Sequence, residues 1–468
     1  MNPSAIVIGA GVGGLAAALR LARAGWNIQV FEARAEPGGL AGGVTHEGFS
    51  FDAGPYILLD RPALEWSFER LGLDVSSHLA LLPVDDIYQV QSADGACVRF
   101  YSNLEKTAAA FDDRWPGSGR RYQKFVTRME GIARALRPML QVSRPTALGL
   151  IRSGGGRHAP FLLRSLASVL DEADLPAPII EAIAIWTHVA GQTKSEAPSP
   201  LAFVPALMHS IGANYPEGGI RRIPQVLERA GKAAGVRFQY SVKVTRIRCE
   251  NRRVTAVETT SGEQIPASVV ISNSAALDTY LQLLEAPPAK LAGLQKLPLQ
   301  TPGVSAYLAV QGQASPPYLQ FRLEQRSERC RLLIQPQAVD SRASANGWAP
   351  ARLLAPMDYE HAERVGASGQ LAYLDGLLAE DWWRKNFSAV RVLAKRIPEQ
   401  WGSEYNLYKS SMNPVMTGRF MRQGRVAHRS PYVGGLYLAG SSTHPGQWVS
   451  FCMISGILAA DCVIEDAN

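Results

Sequence analysis

The beginning of the chain alternates between short apolar runs and a longer helical pattern. Residues 5–8 are an apolar run of the kind that forms a buried parallel strand. An alanine- and leucine-rich segment follows to about Ala24, and Gly25 ends it before a second apolar run at residues 27–31. A strand, a helix and a second strand in this order predict a parallel sheet that is covered by helices.

Similar patterns occur in the middle and near the end of the chain. Residues 223–234 have the spacing of an amphipathic helix, which Gly235 ends, and alternating strands follow as far as Asn273. Residues 435–439 predict a strand that runs into a glycine turn, ahead of a closing helix. The elements of one sheet can therefore come from distant parts of the chain.

The turn after the first predicted strand has the spacing G-x-G-x-x-G. Gly9 permits the tight turn, Gly11 lets the backbone approach a pyrophosphate, and Gly14 lets the helix pack closely on the strand. The helix N-terminus adds unpaired N–H groups and the positive end of its dipole. Glu32 closes the second strand and can accept hydrogen bonds from a ribose hydroxyl, which favours an adenosine without a 2′-phosphate. Together these features predict a dinucleotide site.

Composition and charge narrow the class of protein. Of the 468 residues, 46% are hydrophobic and 19% charged, which is typical of a globular protein long enough for two domains. No apolar run is long enough to span a membrane and no secretory leader precedes the first strand, so we expect a cytoplasmic protein. Five scattered cysteines predict no disulfide framework and no metal site. The net charge of +7 is dispersed, which argues against a nucleic-acid partner and is compatible with an anionic membrane surface.

The stretch EARAEPGGLAGGVTHEGFSFDAGPYILL resembles the flavin amine oxidase superfamily and, within it, the phytoene desaturase group. That group follows the ribose acid with a basic residue, a Gly-Gly pair and a D-x-G-P-like segment. In this chain these positions are Arg34, Gly38, Gly39, Gly54 and Pro55. The resemblance implies that the Gly-Gly loop passes close to the diphosphate and ribityl of FAD. Many relatives have arginine after the glycine pair; Leu40 stands here, so a charge contact to the phosphate is lost or replaced.

Two later stretches carry the same resemblance. Residues 214–273 are similar to the segment that returns the chain to the FAD domain, in which the residue matching Val244 meets the adenine through its backbone. GLYLAGSSTHPGQWVSF, residues 435–451, is similar to the last strand and the flavin loop of the group. The glycine motif and the resemblance together imply these cofactor-binding residues: Gly9, Gly11, Gly13, Gly14, Glu32, Arg34, Gly38, Gly39, Leu40, Gly54, Pro55, Val244, Gly440, Ser441 and Val449.

His444 and Trp448 are the predicted catalytic residues. The resemblance implies that His444 lies beside the flavin, where it stabilises the reduced cofactor or handles the released proton; the alternative is that it only holds the loop in shape. Trp448 stands where relatives keep small residues. It forms a flat wall for an apolar chain, or it packs away from the flavin.

The fold class that we predict is α/β, or α+β taken as a whole. A Rossmann-like FAD-binding domain comprises residues 1–75, 215–290 and 420–468. An interleaved substrate domain of mixed sheet and helix comprises residues 76–214 and 291–419 and includes a helical lid.

Prolines and a basic loop mark the helix-rich part of the substrate domain. Pro176 and Pro178 interrupt an apolar helical pattern, which favours two helices over one. The basic loop at residues 152–157 is either a membrane-docking face or a solvated loop beside a helical lid.

The resemblance implies an FAD-dependent oxidoreductase that desaturates a carbon–carbon bond of an apolar isoprenoid or carotenoid-type molecule, by hydride transfer from an allylic carbon to flavin N5. Three other functions stay open: an amine oxidase, a carotenoid isomerase without net redox change, and a prenyl-binding protein of the same fold without flavin. A peripheral position on the inner face of the membrane also stays open, as does the oligomeric state.

Overall fold

The structure is a computed structural model. It describes residues 3–284, 292–312, 317–324, 327–418, 420 and 425–468.

The described strands build two large sheets and three small ones. In chain order they are β1 (Ser4–Ile8), β2 (Asn27–Phe31), β3 (Gly43–His46), β4 (Phe49–Asp52), β5 (Leu81–Pro83), β6 (Asp86–Gln91), β7 (Cys97–Tyr101), β8 (Asn214–Pro216), β9 (Arg237–Gln239), β10 (Val244–Glu250), β11 (Arg253–Thr259), β12 (Gln264–Pro266), β13 (Val270–Ser272), β14 (Gly303–Gln311), β15 (Leu319–Glu324), β16 (Ser327–Ile334), β17 (Ala349–Pro356), β18 (Ala389–Arg396) and β19 (Leu436–Leu438).

The described α-helices surround these sheets. They are α1 (Val12–Arg23), α2 (Arg61–Arg70), α3 (Val75–His78), α4 (Leu104–Arg114), α5 (Ser118–Leu136), α6 (Ala147–Arg152), α7 (Ala159–Leu162), α8 (Leu166–Asp171), α9 (Ala177–Ala190), α10 (Phe203–Ser210), α11 (Arg222–Ala233), α12 (Ala276–Asp278), α13 (Ala292–Gln295), α14 (Tyr359–Ala379), α15 (Asp381–Arg384), α16 (Pro398–Tyr405) and α17 (Val449–Ala467).

The first large sheet is parallel and has the strand order β19-β13-β1-β2-β9. Its central strand β1 is buried except for Ser4, because helices cover both faces of a parallel sheet. Ile6 pairs with Val270 on one side and Gln29 on the other. The predicted strand–helix–strand unit at the start of the chain is confirmed, with α1 between β1 and β2.

The second large sheet is mostly antiparallel and has the order β18-β14-β17-β16-β15-β6-β7. Among the described residues its one parallel pair joins β6 to β15, with Leu319 opposite Tyr88. Every strand of this sheet comes from the segments predicted to form the substrate domain, and every strand of the parallel sheet from the other segments. The α/β class is confirmed; the domain division stays a prediction, and its boundaries at 290/291 and 419 fall on residues outside the described ones.

The last helix, α17, packs along α1. Gly456 lies at the closest approach of the two helices, because a Cβ there would overlap the carbonyl oxygen of Gly13. The end of the chain is thus held directly against the glycine turn near its beginning.

The prolines act in the helix-rich region as predicted. Helices α8 and α9 are separate; Pro176 is the N-cap of α9 and Pro178 lies in its first turn. A proline in a first turn needs no hydrogen-bond donor, so the helix continues from it. In the part of the chain that the structure describes, every helix is too short or too polar to span a membrane.

Candidate functional site

A cavity of about 520 Å³ lies at the carboxyl edge of the parallel sheet. Its wall contains residues that directly follow β1, β2, β13 and β19, the edge at which open α/β sheets bind ligands. All the predicted cofactor-binding residues except Gly14 line it. Gly14 packs the helix on the turn instead, because a Cβ there would overlap the carbonyl oxygen of Gly9.

The glycine turn forms one end of this cavity. Gly9 has a φ of +93°, which favours glycine, and the site of a Cβ on Gly11 is taken up by the Asn273 side chain. Gly11 is also the N-cap of α1, and no side chain caps that helix among the described residues. Free N–H groups therefore face the cavity, which suits a pyrophosphate.

Glu32 is buried next to this turn, with 7% of its surface exposed. Its Oε2 accepts a hydrogen bond from the N–H of Ala10 at 2.6 Å, and its Oε1 accepts one from the N–H of Arg34 at 2.9 Å. Burial raises the pKa of Glu32, and these two N–H donors oppose that effect. The N–H of Val242 donates to the backbone carbonyl of Glu32 at 2.9 Å, and Val244, two residues further on, also lines the cavity.

The Gly-Gly loop runs beside the glycine turn. Gly38 has a φ of +117° and its N–H donates to the carbonyl of Ala10 at 2.8 Å. The guanidinium of Arg34 lies 3.1 Å from the Glu404 carboxylate and over the ring of Tyr405. The positive charge of Arg34 is therefore already balanced by the Glu404 carboxylate.

The loop between β19 and α17 closes the cavity at the other side. Gly440 has a φ of +94°, and its N–H donates to the Ser455 hydroxyl at 2.9 Å. Helix α17 begins at Val449 without a side-chain cap among the described residues. Ser441 and Val449 both line the cavity, so a second free helix N-terminus faces it.

His444 lies outside the cavity wall, as far as the described residues form that wall. Its Nε2 donates to the backbone carbonyl of Met139 at 2.7 Å. Burial lowers the pKa of His444 to about 4, so the ring is neutral at pH 7. This placement agrees with the interpretation that His444 holds the loop in shape, and a catalytic role for it stays a prediction.

Trp448 lines the cavity as the N-cap residue of α17. Its ring stacks on Phe451, with the ring centroids 5.0 Å apart and the planes at 16°. The indole therefore forms a flat, supported surface on the wall. Of the two predicted catalytic residues, it alone reaches the cavity among the described residues.

Two of the wall residues that the sequence interpretation missed are Asp278 and Arg352. Asp278 is 2% exposed, and neither of its carboxylate oxygens has a hydrogen-bond partner among the described residues. Burial raises the pKa of Asp278 to about 8, and the nearby N–H of Tyr408 offsets this only in part. One sequence signal could have identified Asp278, because it is an acidic residue within the mostly apolar segment 275–284.

The second is Arg352. Its guanidinium donates to the Ser305 hydroxyl and the Asp52 carbonyl at 2.9 Å each, and to the Gly54 carbonyl at 3.3 Å. It thereby fixes the turn that brings Pro55 into the wall. No local pattern marks this arginine, because its partners lie far away in the sequence.

A sequence profile of the family described as flavin containing amine oxidoreductase matches residues 12–314. The chain belongs to this family. The match begins at Val12, directly after the glycine turn, and includes the strands β2, β9 and β13 of the parallel sheet.

Among the relatives of this chain are two named desaturases. A zeta-carotene-forming phytoene desaturase from Myxococcus xanthus is 26% identical, with 99% of this chain and 94% of the relative aligned. A hydroxyneurosporene desaturase from Rhodobacter capsulatus is 27% identical, with 98% of this chain and 97% of the relative aligned. The predicted resemblance to the phytoene desaturase group is confirmed.

Solved structures support the fold of this chain. An oxidoreductase from Methanosarcina mazei has a TM-score of 0.65 at 17% identity, covering 99% of this chain and 100% of that one. A triple mutant of putrescine oxidase has a TM-score of 0.66 at 16% identity and covers 99% of both chains.

The residues of the cavity fit FAD. A glycine cradle with free N–H groups suits its pyrophosphate, a buried acid suits its ribose, and a second free helix N-terminus suits the polar edge of its ring system. The protein is an FAD-dependent oxidoreductase.

Proposed function

We propose that the enzyme is a desaturase, which removes hydrogen from a carbon–carbon bond of a long, apolar isoprenoid of the carotenoid type. The observation that carries this proposal is the cavity wall beyond the glycine cradle, which is mostly aliphatic and aromatic. It includes Tyr56, Leu58, Leu201, Val204, Leu332 and Met416. The names of the two desaturase relatives support the same substrate class.

The chemistry divides between cofactor and protein. Bound FAD supplies the acceptor for the hydride that leaves the substrate. The apolar wall excludes water and can bind an isoprenoid substrate that has no polar groups. The N–H groups at the start of α17 would stabilise negative charge on a bound flavin.

Trp448 has a specific part in this proposal. Its ring is held by the stack on Phe451, so it offers a rigid flat face to an extended conjugated chain. A rigid wall keeps the reacting carbon at a fixed distance from the cofactor, and misplacement by about 1 Å can lower a rate by about 10²-fold.

Anaerobic bleaching of the bound flavin tests the function. We expect long polyene hydrocarbons to bleach the flavin of the parent protein and amines to leave it yellow. Trp448→Gly is expected to retain FAD and to lower the bleaching rate by about 10²-fold, because the rigid wall is lost.

Trp115→Gly is the matched control, since Trp115 is partly buried outside the described wall of the cavity. It should bleach at the parent's rate once its FAD content is equal. Bleaching by amines and not by polyenes would replace the desaturase proposal with an amine oxidase, and bleaching by neither would reject both.

We also propose that the protein takes this substrate from an anionic membrane surface. Four of the five large hydrophobic residues exposed in the described chain lie within one stretch, residues 142–163, and we call them the apolar patch: Val142, Leu148, Ile151 and Leu163. Leu148 is 55% exposed, and Ile151 and Leu163 are each 65% exposed. The basic residues exposed within the same stretch are Arg144, Arg152 and Arg157. Apolar and basic side chains side by side are the composition of an interfacial surface.

The apolar patch lies near the Trp448 end of the cavity. Leu140 and Phe451 pack against the same small core cluster, and Phe451 also stacks on Trp448. The 3₁₀ turn Arg137–Gln141 leads directly into the segment that carries the apolar patch. A substrate leaving the membrane here would have a short path to the proposed wall.

Co-sedimentation with liposomes tests the docking surface. We expect the parent to bind anionic vesicles, less so as salt screens the arginines, and Ile151→Glu with Leu163→Glu to abolish that binding. Val392→Glu is the control, because Val392 is also an exposed hydrophobic residue, 40% exposed, and lies outside the apolar patch. Equal loss in the control, or no binding by the parent, would reject the proposal.

A further inference from the structure

Three of the four described glutamines that line the cavity belong to connected segments of the chain. These are Gln192, Gln300 and Gln447, and we call them the amide cluster. Gln192 is 7% exposed and Gln300 is 4% exposed. A buried amide in a wall that is otherwise suited to a hydrocarbon needs a physical reason, because burial of unpaired polar groups is unfavourable.

The amide cluster is assembled from three distant segments. The N–H of Thr301 donates to the Ala190 carbonyl at 3.4 Å, which brings Gln300 and Gln192 to adjacent stretches of backbone. The Nε2 of Gln300 donates to the Oε1 of Gln447 at 2.7 Å, which joins both to the loop that carries Trp448.

Two atoms of the amide cluster lack partners. Within the described part of the chain, neither the Nε2 of Gln192 nor the Oε1 of Gln300 makes a hydrogen bond, and both atoms are buried. One is a donor and the other an acceptor. Buried polar groups in native proteins are nearly always paired, so this combination indicates a ligand group that both accepts and donates.

We propose that the amide cluster binds a hydroxyl group on an otherwise apolar polyene, so that the preferred substrate is a hydroxylated carotenoid-type chain rather than a plain hydrocarbon. The inference rests on the proposed function for the polyene part. A hydroxyl oxygen accepts from Nε2 of Gln192 while its hydrogen is donated to Oε1 of Gln300. A hydrocarbon leaves both atoms unpaired, and a site built to hydrogen-bond a hydroxyl discriminates strongly against the analogue without one.

Paired polyenes test this in the intact FAD-bound protein. Two chains of equal length that differ only in one terminal hydroxyl are presented in detergent micelles. Quenching of tryptophan fluorescence reports binding, since Trp186 and Trp448 line the cavity. We expect the hydroxylated chain to bind about tenfold more tightly. Equal affinity, or tighter binding of the hydrocarbon, would overturn the inference.

Gln192→Leu removes the unpaired donor at similar side-chain volume. The preference for the hydroxylated chain is expected to fall about tenfold, with hydrocarbon binding unchanged or tighter. Gln300→Leu serves the same purpose should the first variant not fold. The matched control is Gln320→Leu, because Gln320 is also 7% exposed, is bonded to Asn386 and lies outside the described cavity wall. The control should keep the parent's preference.

Measuring the FAD content of the variant tests the remaining explanation, which is that the amide cluster holds the cofactor and not the substrate. A folded Gln192→Leu protein that has lost FAD would show that the amide cluster holds the cofactor, and the inference would be wrong.

Anaerobic bleaching separates the inference from the proposed function. Flavin that stays yellow with both polyenes rejects the desaturase but leaves a measured binding preference standing. Bleaching by both at equal affinity keeps the desaturase and rejects recognition of a hydroxyl.

Discussion

Glu32→Ala is expected to raise the dissociation constant for FAD by about ten- to a hundredfold. Hydrogen bonds to charged groups contribute about 1.5–3 kcal/mol each, which corresponds to that range. The carboxylate holds the N–H groups of Ala10 and Arg34 and so shapes both the glycine turn and the strand end at the ribose position. Titration of the apoprotein with FAD measures the effect.

A second acid on the same loop provides the control. Glu36 is exposed, so Glu36→Ala should bind FAD as the parent does. Glu32→Gln should lie between the parent and Glu32→Ala, because one carbonyl oxygen can replace only one of the two acceptors. Parental FAD affinity in Glu32→Ala would show that this carboxylate does not organise the cofactor site.

Gly456→Ala is expected to destabilise the fold by about 1–3 kcal/mol or more and to lower FAD content at the same time. The new methyl group would overlap the carbonyl oxygen of Gly13, which is backbone and cannot turn away. Helices α1 and α17 must then separate, and the glycine turn moves with them. Chemical denaturation gives the loss of stability, and absorbance of the bound flavin gives occupancy.

Gly376→Ala separates this effect from helix propensity. Gly376 lies within α14, and a Cβ there would meet no atom within 4 Å among the described residues. The same substitution should therefore stabilise the protein by about 0.5–1 kcal/mol. The packing argument fails if the two variants shift stability in the same direction.

Local patterns predicted the cofactor half of the site. The strand, glycine turn and helix at residues 4–23 are neighbours in sequence, and their spacing dictates their geometry. Val244 and Gly440 were placed by resemblance to a family, since only long-range pairing of β13 with β1 and β19 brings them to the same cavity.

The substrate half could not be predicted in the same way. The orientation of the His444 ring depends on its hydrogen bond to the carbonyl of Met139, which lies in a distant segment. Sequence periodicity does not predict a contact between such distant segments. The amide cluster likewise exists only because a backbone contact and a side-chain hydrogen bond join three segments. The parallel pairing of β6 with β15 is a further case, because sequence patterns give strands but not their partners.

The packing of α17 on α1 also governs the order of events during synthesis. In a growing chain, β1 and α1 leave the ribosome long before β19 and α17 are made. Until then the apolar face of α1 lacks its final cover and the cavity lacks the wall that Gly440, Ser441 and Val449 provide. Exposed apolar surface of this kind makes a nascent chain prone to aggregation. We therefore expect FAD capture to follow the synthesis of α17 and to be a late step of folding.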